Sequence, residues 1–315
     1  MISKDDITAA RERIRGHVHE TPLLRSTRLG DRHGRVKLRF KCESLQRTGS
    51  FKARGALNAV MQLSAEQRRK GVVTVSAGNH AQALAWAASK EGVDCIAVMP
   101  EAAPRSKVDA TRGYGGTVEQ IGGERQRIFD RAHEIARGGR VLVHPFEDDH
   151  VAAGAGTVGL EILEQAPDAT TIIVPIGGGG LIAGVAVAVK ESHPGTRIIG
   201  VEPEGASAMR KSLDAGSPQR VEPNTVADGL AAPMAGAMTF DAVRRYVDDV
   251  VVVSDDEILA ALREIALFAK LIVEPAGAAS LAALVTGRVR ARPGEEVVAI
   301  ASGGNVDLER LKTLF

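Results

Sequence analysis

Lys52 is the residue whose setting points most directly to chemistry. It lies in RTGSFKARGALNAV, residues 47–60. Thr48, Gly49 and Ser50 read as a turn and helix N-cap, and Ala56, Leu57, Ala59 and Val60 continue as a helix, which puts Lys52 in the first turn. A cation is misplaced there, because the helix dipole puts its positive end at that terminus. The same field favours the neutral amine, the form that attacks a carbonyl. An ordinary exposed lysine beside Arg54 also satisfies these local facts, so other segments have to decide.

Two segments bear on the choice. In TIIVPIGGGGLIAG, a buried strand runs into Gly177, Gly178, Gly179 and Gly180, with a helix from about Leu181. Consecutive glycines let backbone N–H groups approach an anion, and the helix start adds its dipole, so the loop is a phosphate cradle that needs no basic side chain. The absence of GxxxxGK[ST] argues against a nucleoside triphosphate. Gly178, Gly180 and Ala183 also fit GxGxxA, with Glu202 where a ribose-binding acid would end the next strand. The loop alone therefore suits a nicotinamide dinucleotide as well as another phosphate ligand, and glycines that merely allow close packing are a third reading. In TVSAGNHAQ, a strand ends at Ser76, Gly78 permits a sharp turn and a helix starts near His80. Such a turn exposes amides to a carboxylate, and Asn79 can donate to an oxygen anion. His80 reads as a general base or, more commonly at a helix start, as a cap or packing residue.

These segments need a scaffold, and the pattern supplies one. Val/Ile-rich strands are expected at 72–76, 94–99, 117–121, 141–143, 171–176, 197–202, 250–253 and 297–301. Helices alternate with them at 80–91, 105–114, 124–136, 157–165 and 181–191. Strands apolar on both faces belong to parallel sheets covered by helices, an α/β class. Ser254 and Glu257 form a capping box opening a helix over 255–271. The region 215–238 is irregular, which favours a functional or contact role. His17 and His19 form an HxH on the N-terminal helix without metal-ligand spacing. The 315 residues carry a net charge of +1 and only 3% aromatics, so nucleic-acid binding is not expected. No apolar run suits a membrane span or signal core, and Cys42 and Cys95 form no CxxC pair. A cytoplasmic protein is the expectation.

TGSFKARGA, SAGNHAQ, PIGGGGLIAG, LIVEPAGAASLAAL and IASGGNVDL occur in that order. Together they resemble the pyridoxal-phosphate enzymes of the threonine dehydratase and serine racemase group, over about residues 21–308. The resemblance implies a fold type II enzyme of two domains, each a mainly parallel twisted sheet covered by helices. Residues 50–147 would form the small domain; residues 1–49 and 148–315 would form the large one. It implies that Lys52 carries pyridoxal phosphate as a Schiff base, that Phe51 flanks the ring, and that Asn79 bonds the ring hydroxyl oxygen. It further implies that Gly177, Gly178, Gly179, Gly180 and the Leu181 backbone hold the phosphate, and that Ser302 faces the pyridine nitrogen. Ser76, Asn79 and His80 would hold the substrate carboxylate. The implied reaction removes water from L-threonine or L-serine, with Lys52 taking the α-proton, and yields a 2-oxo acid and ammonia. A neutral Ser302 hydroxyl leaves the pyridine nitrogen largely unprotonated, which favours prompt β-elimination over transamination. A homodimer is also implied.

Three departures discriminate within the group. Racemases carry a serine just before the glycine of the asparagine turn; here Ala77 has no proton to give, so racemase activity is the lesser expectation. The group's divalent-cation site uses a glutamate, a carbonyl and an aspartate. Glu202 and the Ala206 carbonyl match, but Ala208 replaces the aspartate, which leaves a monovalent cation, a more hydrated divalent one or none. The sequence ends at Phe315, soon after SGGN, where biosynthetic dehydratases continue into a regulatory domain, so a catabolic or specialised enzyme is expected. A dehydratase of another β-hydroxy amino acid (3-hydroxyaspartate, phenylserine or a hydroxyectoine-derived acid) remains the alternative.

Overall fold

A computed structural model describes residues 2–314. In chain order its strands are β1 (Leu23–Arg25), β2 (Lys37–Lys41), β3 (Val72–Val75), β4 (Cys95–Pro100), β5 (Thr117–Ile121), β6 (Val141–Leu142), β7 (Thr171–Pro175), β8 (Arg197–Pro203), β9 (Asp249–Val253) and β10 (Glu296–Ile300). They form a six-stranded sheet ordered β1-β2-β10-β7-β8-β9 and a four-stranded sheet ordered β5-β4-β3-β6. Every pairing is parallel except β1 with β2. Val72 lies opposite both Cys95 and Val141, and Thr171 lies opposite both Val297 and Arg197.

The burial pattern follows from this order. All five residues of β7 and of β10 are buried, whereas the edge strand β5 has none buried. A central parallel strand is covered by helices on both faces, so its sequence reads as one apolar run. Ile172 and Val174 of β7 pack with Val158 and Ile162 from the helix Asp149–Gln165, and with Ile182, Val185 and Val189 from the helix Gly180–Lys190.

The eight expected strands are present. β1 and β2 were not expected: a three-residue and a five-residue strand carrying Arg25, Lys37, Arg39 and Lys41 lack the apolar run that marked the others. The helix expected over 157–165 starts eight residues earlier, where the Asp148 carboxylate accepts from the amides of His150 and Val151 at 2.9 and 3.1 Å. The small residues of AAGAG had hidden its periodicity. The Ser254–Glu257 capping box is formed. The helix it opens stops at Glu264, continues as one π-helical turn, Ile265–Ala269, and breaks at Lys270 with φ 58°. The first helix, Lys4–Ile14, ends before His17 and His19, so that pair is not helical. Within 215–238 a bridge joins Arg220 to Met234. Among the described residues no helix is long and apolar enough to cross a membrane.

One buried ionic cluster ties the two sheet systems together. Arg54, on the helix Lys52–Met61, is 1% exposed. Its guanidinium makes two 2.8 Å bonds to Glu43 and bonds of 2.5 and 2.9 Å to Glu161. Lys41, at the end of β2, reaches Glu161 at 2.6 Å and the Thr21 carbonyl at 2.7 Å. Two cations and two carboxylates leave the cluster formally neutral, and planar bidentate pairing suits a buried arginine. Burial alone would raise the Glu43 carboxyl, but the charge and hydrogen bonds of Arg54 outweigh it and hold Glu43 below its ordinary value of 4.5. A depressed carboxyl stabilises the fold above the ordinary value, and that contribution is lost progressively as pH falls below it. Arg54→Ala would strand two buried carboxylates on one cation. It is expected to lower stability by about 3–5 kcal/mol in denaturant unfolding of the whole protein. Arg54→Lys should recover little, since an ammonium cannot fork onto both partners.

Candidate active site

The Lys52 segment is stitched to a distant stretch of the sequence, residues 302–304. Thr48 and Gly49 both take left-handed backbone, φ 56° and 73°, and reverse the chain. Ser50 then bridges Gly303 in antiparallel fashion, the Phe51 amide donates to the Ser302 carbonyl at 3.1 Å, and the Gly304 amide to the Gly49 carbonyl at 2.9 Å. This pairing corrects the expected capping. Ser50 is held extended (φ −160°, ψ 161°), the position before the helix belongs to Phe51, and no side chain caps it. The Ser50 hydroxyl is buried without a partner.

Lys52 is the first residue of the helix, as expected. Its amine donates to the Pro145 carbonyl at 2.7 Å and lies 5.0 Å from the centre of the Phe51 ring. Burial pulls its pKa down to about 8, and the helix dipole acts in the same direction. About a tenth of the amine is then neutral at pH 7, far more than for an ordinary lysine, and that is the form carbonyl chemistry requires.

The asparagine turn follows β3. The Gly78 amide donates to the Ser76 hydroxyl at 3.2 Å, and the helix Asn79–Lys90 begins at once. The Asn79 side chain donates to Glu274 Oε1 at 2.7 Å and accepts from Asn305 Nδ2 at 2.8 Å. Burial, reinforced by the charge of Asp228, pushes the Glu274 carboxyl up to about 7. His80 is buried, with Nε2 3.2 Å from the Val143 carbonyl and Nδ1 unpartnered. Burial, then the Lys52 charge, lowers it to about 3, so the ring is neutral.

The glycine loop joins β7 to the helix Gly180–Lys190. Gly179 has φ 96°, a conformation that a side chain would strain, and a Cβ there would lie 2.7 Å from Thr239. Thr239 in turn donates to the Gly178 carbonyl at 2.7 Å, leaving the loop amides free of that contact. Leu181 is buried behind the loop, and Ser302 is 4% exposed.

A turn that sequence reasoning missed, residues 144–147, lies between Lys52 and the glycine loop. His144 Nδ1 accepts the Glu147 amide at 2.9 Å and stacks edge-on against Phe146, ring centres 4.6 Å apart. Burial, then the charge of Lys52, lowers His144 to about 4, so it stays an acceptor. Pro145 supplies the carbonyl under Lys52, and Phe146 packs so closely on the loop that a Cβ at Gly178 would fall 2.2 Å from its ring. No spacing or charge pattern in HPFE signals this role. Glu274 and Asn305 escaped notice too, although both lie in segments already singled out.

Glu202 is buried, and its two oxygens accept the Met209 and Arg210 amides at 2.8 and 2.7 Å, at the start of the helix Ala208–Ala215. Burial pushes it up to about 7. Ala206 closes the preceding 3-10 turn. Among the described residues no group of three His, Cys, Asp or Glu side chains is arranged to hold a metal ion.

Among the described residues, an amine without a carboxylate partner, a glycine-lined helix start, and unpartnered buried Ser50 Oγ and His80 Nδ1 fit an aldehyde cofactor bearing a phosphate. The family model described as pyridoxal-phosphate-dependent enzyme matches residues 14–303. The chain belongs to this family. Its cofactor is therefore pyridoxal phosphate, and the nicotinamide reading of the glycine loop is set aside. Within the pyridoxal-phosphate family the chain is 44% identical to the L-threonine ammonia-lyase of Thermotoga maritima, covering 100% of this chain and 78% of that one. It is 41% identical to the L-threonine dehydratase catabolic TdcB of Staphylococcus aureus, covering 99% and 91%. The maize serine racemase structure superposes with a TM-score of 0.93 at 42% identity, covering 99% and 96%.

Loading of the apoprotein should report the Lys52 amine. The rate of formation of the coloured pyridoxal-phosphate complex is expected to rise about tenfold per unit at pH well below 8 and to level off above it. Stopped-flow absorbance at excess cofactor measures this rate, and Lys52→Ala should form no such complex.

Proposed function

We propose that this protein is an L-threonine/L-serine ammonia-lyase that releases a 2-oxo acid and ammonia. The observation that carries the reading is likeness over 98–100% of this chain, at 41–45% identity, to proteins named L-threonine ammonia-lyase or dehydratase. The Lys52 amine with its lowered pKa supports it.

Bound pyridoxal phosphate supplies the electron sink for carbanion chemistry. The protein's residues supply the rest. Gly177, Gly178, Gly179, Gly180 and the Leu181 amide would hold the phosphate, Phe51 would flank the ring, Asn79 would meet the ring oxygen, and Ser302 would present a neutral hydroxyl to the pyridine nitrogen. The turn of Ser76, Asn79 and His80 orients the substrate carboxylate through amides at a helix start. Lys52 would hold the cofactor covalently and, as a free amine, would be the base for the α-proton. His80, neutral and resting on the Val143 carbonyl, is better suited to packing the turn than to proton transfer. Ala77 offers no proton to the opposite face.

The strands of the four-stranded sheet all come from residues 72–142, and those of the six-stranded sheet from 23–41 and 171–300. This supports two domains, 50–147 and 1–49 with 148–315, whose closure excludes water from the carbanion. A homodimer and a cytoplasmic location complete the reading.

The test is 2-oxo acid release by the cofactor-loaded protein over a panel of β-hydroxy amino acids. L-Threonine and L-serine are expected to turn over, with little D-serine formed from L-serine. Turnover of only a bulkier or acidic substrate would keep the mechanism and change the substrate; silence on the whole panel would overturn the reading. Lys52→Ala should lower the rate by about a hundredfold or more, and Ala77→Ser should raise D-serine formation.

A further inference from the structure

We propose that Glu274 is a positioning residue that, with Asn305, locks the Asn79 amide in the one orientation that leaves an N–H for the cofactor. The inference rests on the proposed contact between Asn79 and the ring oxygen. Glu274 sits at the N-cap of the helix Pro275–Val285 but makes no side-chain capping bond. Its carboxylate, on a residue only 3% exposed, instead meets Asn79 Nδ2 at 2.7 Å across 195 residues of sequence. Its own amide donates to the Gly303 carbonyl at 3.1 Å, which ties it to the Ser302 segment.

An asparagine amide can flip, because its oxygen and nitrogen have nearly the same shape. Both ends are determined here. An ionised carboxylate only accepts, so it demands an N–H and selects Nδ2. Asn305 Nδ2 donates to the Thr48 carbonyl at 2.7 Å and to Asn79 Oδ1 at 2.8 Å, so it demands an oxygen on the other side. A flip would set Oδ1 against the carboxylate and one amide nitrogen against another. One Nδ2 hydrogen is used by Glu274, and the second remains for the site. Removing Glu274 frees the amide to rotate and to present oxygen where a donor is needed.

The test titrates wild-type, Glu274→Gln, Glu274→Leu and Asn305→Ala apoproteins with pyridoxal phosphate at pH 8, above the Glu274 value of about 7. Visible absorbance gives both the band position and the dissociation constant, and thermal unfolding of the apoproteins reports folding. Glu274→Leu is expected to weaken cofactor binding about tenfold or more and to shift the band. Glu274→Gln, whose oxygen accepts the same bond, should restore most of both. Asn305→Ala, a change at a partly exposed position, should move affinity and band as Leu does while the apoprotein melts like wild type. Wild-type affinity and band in both Glu274→Leu and Asn305→Ala would overturn the inference. So would a glutamine variant as defective as the leucine one. If wild type itself forms no coloured complex, the cofactor reading of Asn79 falls and takes this inference with it.

Discussion

The buried pairing of Arg54 with Glu43 and Glu161 is the constraint on which the site depends. Arg54 follows Lys52 by two residues, so whatever holds Arg54 also holds the start of the lysine's helix. Glu43 follows β2 of the larger sheet, and Glu161 lies on the helix that packs on β7. Four charges removed from water are tolerated only when each is matched and hydrogen-bonded, which makes the geometry exacting.

The electrostatics on the two sides of Lys52 are opposite in kind. Behind it, every buried cation has its anion. In front, the hydrogen-bond partner of the Lys52 amine among the described residues is the Pro145 carbonyl, and His80 and His144 are neutral. A counter-ion there would hold the amine protonated and unreactive. The Lys52 amine thus owes its lowered pKa to burial without a compensating charge. The groups proposed to meet the cofactor follow β3, β7 and β10, at the ends of parallel strands.

Much of the fold was legible because central parallel strands are apolar throughout and helices carry their own caps. β1 and β2 were not legible: they are charged, and they become strands only by pairing with each other and with β10. The same limit explains Ser50. Its residue type suits an N-cap, but pairing with Gly303 overrides the local preference.

The sequence by itself determined the lysine at a helix start, the glycine loop before a helix, the asparagine turn and the likeness to a cofactor family. Each of these is a contiguous stretch whose chemistry depends on local backbone geometry. Only the tertiary structure decided what surrounds them: Pro145 beneath the Lys52 amine, Glu161 on Arg54, and Glu274 on Asn79, separated by 93, 107 and 195 residues. No periodicity encodes such pairs. They exist because an unmatched buried polar group is costly and the packing of the two sheets brings these partners within reach.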